Sequence, residues 1–122
     1  MSITEAESAI MEILWRKSPQ SAEDIATSLK GERDWQEATV KTLINRLLKK
    51  RVIEAAKDGR RYLYSPRIAR HEYVSSRSSD IVDRLFGGRV APLVAHFSEQ
   101  GKLTKKDLAD LKKLIQEIEG GR

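Results

Sequence analysis

The chain has no cysteine. That absence excludes disulfides, thiolate metal sites and cysteine nucleophiles. Aromatic residues are scarce, with two Trp, two Phe and three Tyr among 122 residues, so any core must be mainly aliphatic. No apolar run approaches the ~18 residues of a membrane-spanning helix, and the N-terminus lacks the apolar stretch of a signal peptide. A soluble, cytoplasmic chain without direct membrane insertion is expected. Catalytic signatures are missing too. His71 and His96 are the only histidines and lie far apart. There is no HExxH motif, P-loop, Gly-rich nucleotide fingerprint or Ser-His-Asp constellation. Gly87-Gly88 reads as a helix break. No catalytic residue, metal ligand or cofactor is therefore expected, and the chain does not read as an enzyme.

What is present is focused positive charge. Between Lys41 and Arg61 stand eight cations (Lys41, Arg46, Lys49, Lys50, Arg51, Lys57, Arg60, Arg61) against Glu54 and Asp58, a net +6. The whole chain carries only +5, so the other 101 residues sum to −1. Residues 1–37 hold four cations and eight anions. One basic segment beside an acidic one is the footprint of a surface that meets phosphates on one side only. At 122 residues and 39% apolar content, the chain suits one domain, or one small domain with an appendage.

The basic segment divides into a helix and a hairpin. Val40, Leu43, Ile44, Leu47 and Leu48 recur at three- and four-residue spacing and predict one buried stripe. At about 100° per residue the opposite face carries Ala38, Thr42, Asn45 and Lys49, flanked by Lys41 and Arg46. Small side chains there let the backbone approach a base edge, and Asn, Thr, Lys and Arg are base- and phosphate-reading types. Taken alone, the helix would also pass for an ordinary solvated one. Directly after it, Val52 to Ser65 alternates as a strand pair does. Asp58-Gly59 is expected as the two-residue loop of a type I′ turn, and Pro66 ends the pair. Basic residues also blunt exposed strand edges. A basic hairpin following a basic helix is nonetheless the layout of a winged helix-turn-helix, in which the helix enters the major groove and the wing touches the backbone or minor groove.

The N-terminal third supplies the remaining helices. Thr4 to Glu7 has capping-box form, and Ile10, Ile13 and Leu14 build a stripe ending near Lys17. Ser21 opens a second helix with Asp24 three residues on, Ile25 and Leu29 facing inward, and Gly31 closing it. Trp15 and Trp35 read as packing residues rather than base-stacking platforms.

The order of a first helix, SAEDI, TVKTLINRLLKKRVI, DGRRYLYSP, FGGRVAPLVAHF and LTKKDLADLKKLIQEI resembles the penicillinase-repressor family (the BlaI/MecI/CopY group) from Ile3 to about Ile118. The resemblance implies a bacterial transcriptional repressor that binds palindromic double-stranded operator DNA as a homodimer. Its winged helix domain would span 1–66 and its helical dimerisation region 67–122, a mostly α fold with one small β-hairpin. Together with the helix geometry, it places Thr39, Lys41 and Thr42 nearest the bases, with Asn45 and Arg46 behind them. Lys49, Lys50, Lys57, Arg60 and Arg61 fall near phosphates. The alternative is a winged-helix module that binds protein and not DNA, against which the +6 segment argues.

The second half supports pairing on its own terms. Gly87-Gly88 and Gly101 separate three helical stretches, and Thr104 with Asp107 forms another cap. Tyr73, Ile81, Leu85, Phe86, Leu93, Phe97, Leu108, Leu111 and Ile115 are the apolar positions expected to bury against a second copy. By the resemblance, induction would involve a membrane sensor-protease that leads to cutting in the dimerisation region. The matching bond here is His96-Phe97, where the family has Asn before the Phe. Copper-sensing relatives carry a cysteine-rich C-terminal motif, and this chain has none.

Overall fold

Two capping boxes start the fold. In a computed structural model that describes residues 2–121, Thr4 Oγ1 accepts from the Glu7 N–H and the Glu7 carboxylate accepts from the Thr4 N–H, opening α1 (Glu5–Arg16). Ser21 and Asp24 repeat the exchange at α2 (Ala22–Leu29). Each box satisfies two amide donors that a helix start otherwise leaves unpaired. The basic helix is α3 (Glu37–Lys49), followed by β1 (Ile53–Asp58) and β2 (Arg61–Pro66). The second half forms α4 (Arg70–Phe86), α5 (Val90–Glu99) and α6 (Lys105–Gly120), the last with the expected Thr104–Asp107 box. The chain divides into two compact units, Met1–Ser75 and Ser76–Arg122.

The first unit holds the core. Ile3, Ile10, Met11, Ile13 and Leu14 from α1 and its lead-in meet Ile25 and Leu29 of α2, Val40, Leu43, Ile44 and Leu47 of α3, and Val52 and Ile53. Leu48, expected in the α3 stripe, is only half-buried at its edge. Trp15 and Trp35 pack against this cluster as expected. Loss of one of these aliphatic side chains typically costs about 2–5 kcal/mol.

The hairpin is antiparallel, in register from Ile53 opposite Pro66 to Asp58 opposite Arg61. Its loop residues are therefore Gly59 and Arg60, not Asp58 and Gly59. Gly59 has φ +66° while Arg60 is not in the positive region. Glycine with φ > 0 at the first loop position only is the type II′ pattern, which corrects the type I′ expectation. The strand β2 is also tied to the α1–α2 connection, because Gln20 and Tyr64 exchange backbone hydrogen bonds of 3.0 and 2.8 Å.

A short device joins helix and hairpin. The Val52 N–H donates to Leu47 O (3.3 Å) and the Arg51 N–H to Leu48 O (3.0 Å), the paired bonds of a Schellman ending. Val52 and Leu47 are both buried, completing the motif's apolar contact. The residue between is Arg51 at φ +62°, in the left-handed region where glycine is preferred. Its side chain is exposed. Replacing Arg51 with Gly removes the Cβ strain, partly offset by a looser unfolded chain, so urea unfolding should show a gain of about 0.5–1 kcal/mol. A loss of stability in Arg51→Gly would mean the side chain makes a stabilising contact that outweighs the strain.

The second unit is built differently. α4, α5 and α6 contain no buried residue among those described. Gly87, Gly88 and Gly101 all adopt positive φ at the breaks between the helices.

Candidate nucleic-acid interface

The α3 stripe fixes which residues point outward. With Val40, Leu43, Ile44 and Leu47 buried, Thr39, Lys41, Thr42, Asn45, Arg46 and Lys49 are all exposed on the other side. Thr42 Oγ1 donates to Ala38 O at 3.0 Å. Its proton is thereby committed inside the helix, and its lone pairs and methyl group face out. Such a group accepts from a base amino group or packs on a thymine methyl. Lys41 lies 3.7 Å from Glu37 with both side chains largely exposed, so this pair is weak and displaceable. Gln36 at the helix start makes no side-chain cap. The first α3 amides are thus left to water or to an anion.

Both ends of α3 are held by contacts distant in sequence. At the entry, the Arg33 guanidinium lies 5.0 Å over the Trp35 ring and pairs with Glu5 through bonds of 2.5 and 3.4 Å. The hydrogen bond from Arg33, then its charge, lowers the Glu5 carboxyl below its usual range. At the exit, Lys50 Nζ donates to Glu7 Oε1 (2.5 Å) and to Ser2 O (2.7 Å). Glu7 is fully buried, and its Oε2 has no hydrogen-bond partner among the described residues. Burial alone pushes its carboxyl up. The Lys50 hydrogen bond, the Thr4 N–H and the Lys50 charge together outweigh it, so the net shift is downward.

Lys50 thus departs from expectation. Sequence placed it beside phosphates, but its ammonium is committed to the core acid, because Glu7 leaves it a buried carboxylate to neutralise. The remaining cations stay outside. Lys49, Lys57, Arg60 and Arg61 are exposed. Arg61 makes only 3.4 Å contacts to Asp58. The turn brings Arg60 and Arg61 together with Lys41 of α3 around one cleft of about 250 Å3, closed on its third side by Ser21, Ala22 and Glu23 at the start of α2. Tyr62, half-exposed, lines the same cleft. Sequence reading treated Tyr62 as a strand residue alone and left out the α2 start. In the hairpin register Tyr62 stands opposite Lys57, which puts these two side chains on the same face.

The expected pairing residues behave in two ways. Tyr73 falls in the first unit, half-buried with its ring 5.5 Å from that of Trp15, apart from the other expected pairing positions. Ile81, Leu85, Phe97, Leu108 and Ile115 are exposed, and Phe86, Leu93 and Leu111 half-buried. Leu93 and Phe97 of α5 and Leu111 of α6 border an apolar cleft of about 500 Å3. The His96-Phe97 bond lies inside α5, with the His96 ring 6.2 Å from Phe86.

Three helices, a hairpin wing and an outward polar face on the third helix define a winged helix-turn-helix DNA-binding protein. The chain matches the family described as Penicillinase repressor over residues 3–117 and belongs to it, a family of transcriptional repressors rather than enzymes. It is 26% identical to the penicillinase repressor of Bacillus licheniformis, over 94% of this chain and 90% of that one. It is 29% identical to the methicillin resistance regulatory protein MecI of Mammaliicoccus sciuri, covering 93% and 92% of the two. Among solved structures, the Bacillus licheniformis BlaI monomer in complex with the blaP half-operator aligns with TM-score 0.53 at 29% identity, over 60% of this chain and 89% of that one. No helix among the described residues is long and apolar enough to cross a membrane.

Adjacent lysines give a direct test of this geometry. Lys49→Ala should leave unfolding unchanged and lower the salt dependence of DNA binding by roughly one unit of slope. Lys50→Ala should destabilise by about 1–3 kcal/mol, discounted because the Lys50 side chain is 32% exposed, and should change the slope little. The Glu7 carboxyl is depressed in the fold, so its stabilisation is full above its ordinary value and fades as pH falls through the folded one. Glu7→Gln should remove that acid-side loss. A Lys50→Ala protein of full stability with a reduced slope would reverse the two assignments.

Proposed function

We propose that this chain is a homodimeric repressor that reads palindromic operator DNA through α3 and braces the duplex with the wing. The observation that carries the reading is the convergence of Lys41, Arg60 and Arg61 on one cleft beside the exposed Thr39–Arg46 face. Thr39, Lys41 and Thr42 face the base edges with Asn45 and Arg46 behind. Lys49, Lys57, Arg60 and Arg61 meet phosphates. The BlaI neighbour, which shares this fold, is solved in complex with the blaP half-operator, and this supports operator DNA as the partner here.

Dimerisation rests on the second unit. Ile81, Leu85, Val90, Phe97, Leu108, Leu114, Ile115 and Ile118 are exposed, and none of the three helices has a buried residue. That much apolar surface marks an association site, and a second copy with the same stripe covers it symmetrically. Cutting His96-Phe97 would separate α6 from the DNA-reading unit, a route to release that requires α5 to unwind at the bond first.

Two substitutions test the two halves separately. Thr42→Val keeps the shape but removes the accepting hydroxyl, and should cost about 1–3 kcal/mol at one base position while sparing non-specific binding. Leu111→Asp with Ile115→Asp should yield monomers by light scattering and collapse affinity for a two-half-site operator, since effective concentration is lost. Unchanged operator preference in the first, or a wild-type mass near 13.9 kDa at micromolar concentration, defeats the corresponding half of the proposal.

A further inference from the structure

The start of α3 presents a charge pair to solvent. Glu37 is the first residue of the helix and Lys41 stands four residues on, so both rise from the same edge. Glu37 Oε1 lies 3.7 Å from Lys41 Nζ, and the two side chains stay 49% and 60% exposed. At that distance the contact is an ion pair and not a hydrogen bond, so the ammonium's donors and the carboxylate's lone pairs stay available. The neighbours do not crowd the pair. Gln36 makes no side-chain cap, and the exposed Ala38 adds only a methyl group. The N-terminal residues of a recognition helix are the ones that approach base edges.

We infer that Glu37 and Lys41 act together as specificity-determining residues, reading one G·C base pair of the operator in the major groove. The inference rests on the DNA-reading role proposed above and assigns a base pair to it. An ionised carboxylate only accepts hydrogen bonds. In the major groove guanine shows O6 and N7 and thymine shows O4, all acceptors that repel it. Adenine sets its N6 amino group beside the acceptor N7. Cytosine N4 is the one donor with no acceptor alongside it on its own base. The guanine opposite then offers O6 and N7 to the ammonium. Within the base pair, cytosine N4 and guanine O6 are hydrogen-bonded to each other, about 2.9 Å apart. Opposite charges 3.7 Å apart on one helix edge present the complementary array, carboxylate to amino group and ammonium to carbonyl. A phosphate suits this edge poorly, because its pull on Lys41 is opposed by Glu37. Phosphates are left to Arg60 and Arg61, which line the same cleft from the wing.

The test compares wild type with Glu37→Gln, Glu37→Ala and Lys41→Ala, all full-length. Each is titrated on a duplex that the wild type selects from a random library, with every base pair of the recognised site changed in turn to the other three. Urea unfolding is measured in parallel. The expected result is one position at which the wild type prefers cytosine by about ten-fold over the other bases. Glu37→Gln should shift that position toward adenine, because an amide matches its N6 and N7 together. Glu37→Ala and Lys41→Ala should each flatten the preference at this same base pair and spare the others. Glu37 variants that gain affinity equally on every duplex would show a carboxylate that only repels phosphate, and overturn the inference. So would a loss of stability with base preference intact, which leaves Glu37 a helix-start acid. Effects of Glu37 and Lys41 at different base pairs overturn the joint reading. Failure of the DNA-reading role itself is distinct, since the wild type would then select no sequence at all.

Discussion

Glu7 is the one fully buried charged residue among those described, and the orientation of α3 depends on it. A carboxylate cannot remain ionised in an apolar core without compensation. The compensation comes from the Thr4 amide within α1's own cap and from Lys50 at the end of α3. The same Lys50 reaches Ser2 O, so the lead-in to α1 and the exit of α3 close on one ammonium. Apolar packing of Val40, Leu43, Ile44 and Leu47 keeps α3 against the core but resists sliding weakly, because aliphatic contacts are non-directional. The buried pair is directional, and it pins the exit of α3 while the apolar stripe sets the roll that turns Thr39, Lys41 and Thr42 outward.

α1 repeats this logic along its length. Glu5 holds Arg33 in the loop before α3, Glu7 holds Lys50 after it, and Glu12 holds Arg70 at the start of α4. The acidic balance of the N-terminal third is therefore spent on three cations from three different elements. This sorts the positive charge of the molecule. Cations within reach of α1 become struts, and those on the outer face of α3 and on the wing find only weak, exposed partners. A phosphate competes poorly for Lys50, whose partner Glu7 is buried, and easily for the second group, whose exposed pairs lie at 3.4–3.7 Å. Electrostatic asymmetry and mechanical bracing have one origin.

What the sequence made legible follows the range of the interaction. The capping boxes at Thr4, Ser21 and Thr104, the α3 stripe and the period-two hairpin are all written within a few residues, and all appear in the structure. The turn missed by one residue because Asp58-Gly59 and Gly59-Arg60 are both acceptable loops. The choice is made by pairing along the whole hairpin, from Ile53 with Pro66 to the Gln20 bridge onto Tyr64. Lys50 was misread because its partner lies 43 positions away, and locally it is indistinguishable from Lys49. The contact of Tyr73 with Trp15 is illegible for the same reason, since Trp15 is on the first helix, 58 positions away. The cleft uniting Lys41 with Arg60 and Arg61 was legible as charge but not as a place, and the α2 start that closes it carries no charge signature of attraction at all.

The distribution of burial supplies the last step. Among the described residues, every buried apolar side chain lies between Ile3 and Ile53, although apolar stripes of similar strength continue to Ile118. A helix such as α6, with Leu108, Leu111, Leu114, Ile115 and Ile118 along one side, gains little from an isolated existence, since helices of its length are marginal in water without a packed face. A sequence that caps such a helix at Thr104 and then leaves its stripe open within its own chain is specified for association. In a repressor of this family the consequence is functional. On the dimeric reading proposed above, the residues that read DNA fold around their own core, whereas those that couple two readers would acquire theirs only in company, and occupancy of a two-part operator would be tied to concentration and to the integrity of α4, α5 and α6. On that reading, an event that opens the shared face would weaken repression without altering a single residue at the DNA surface.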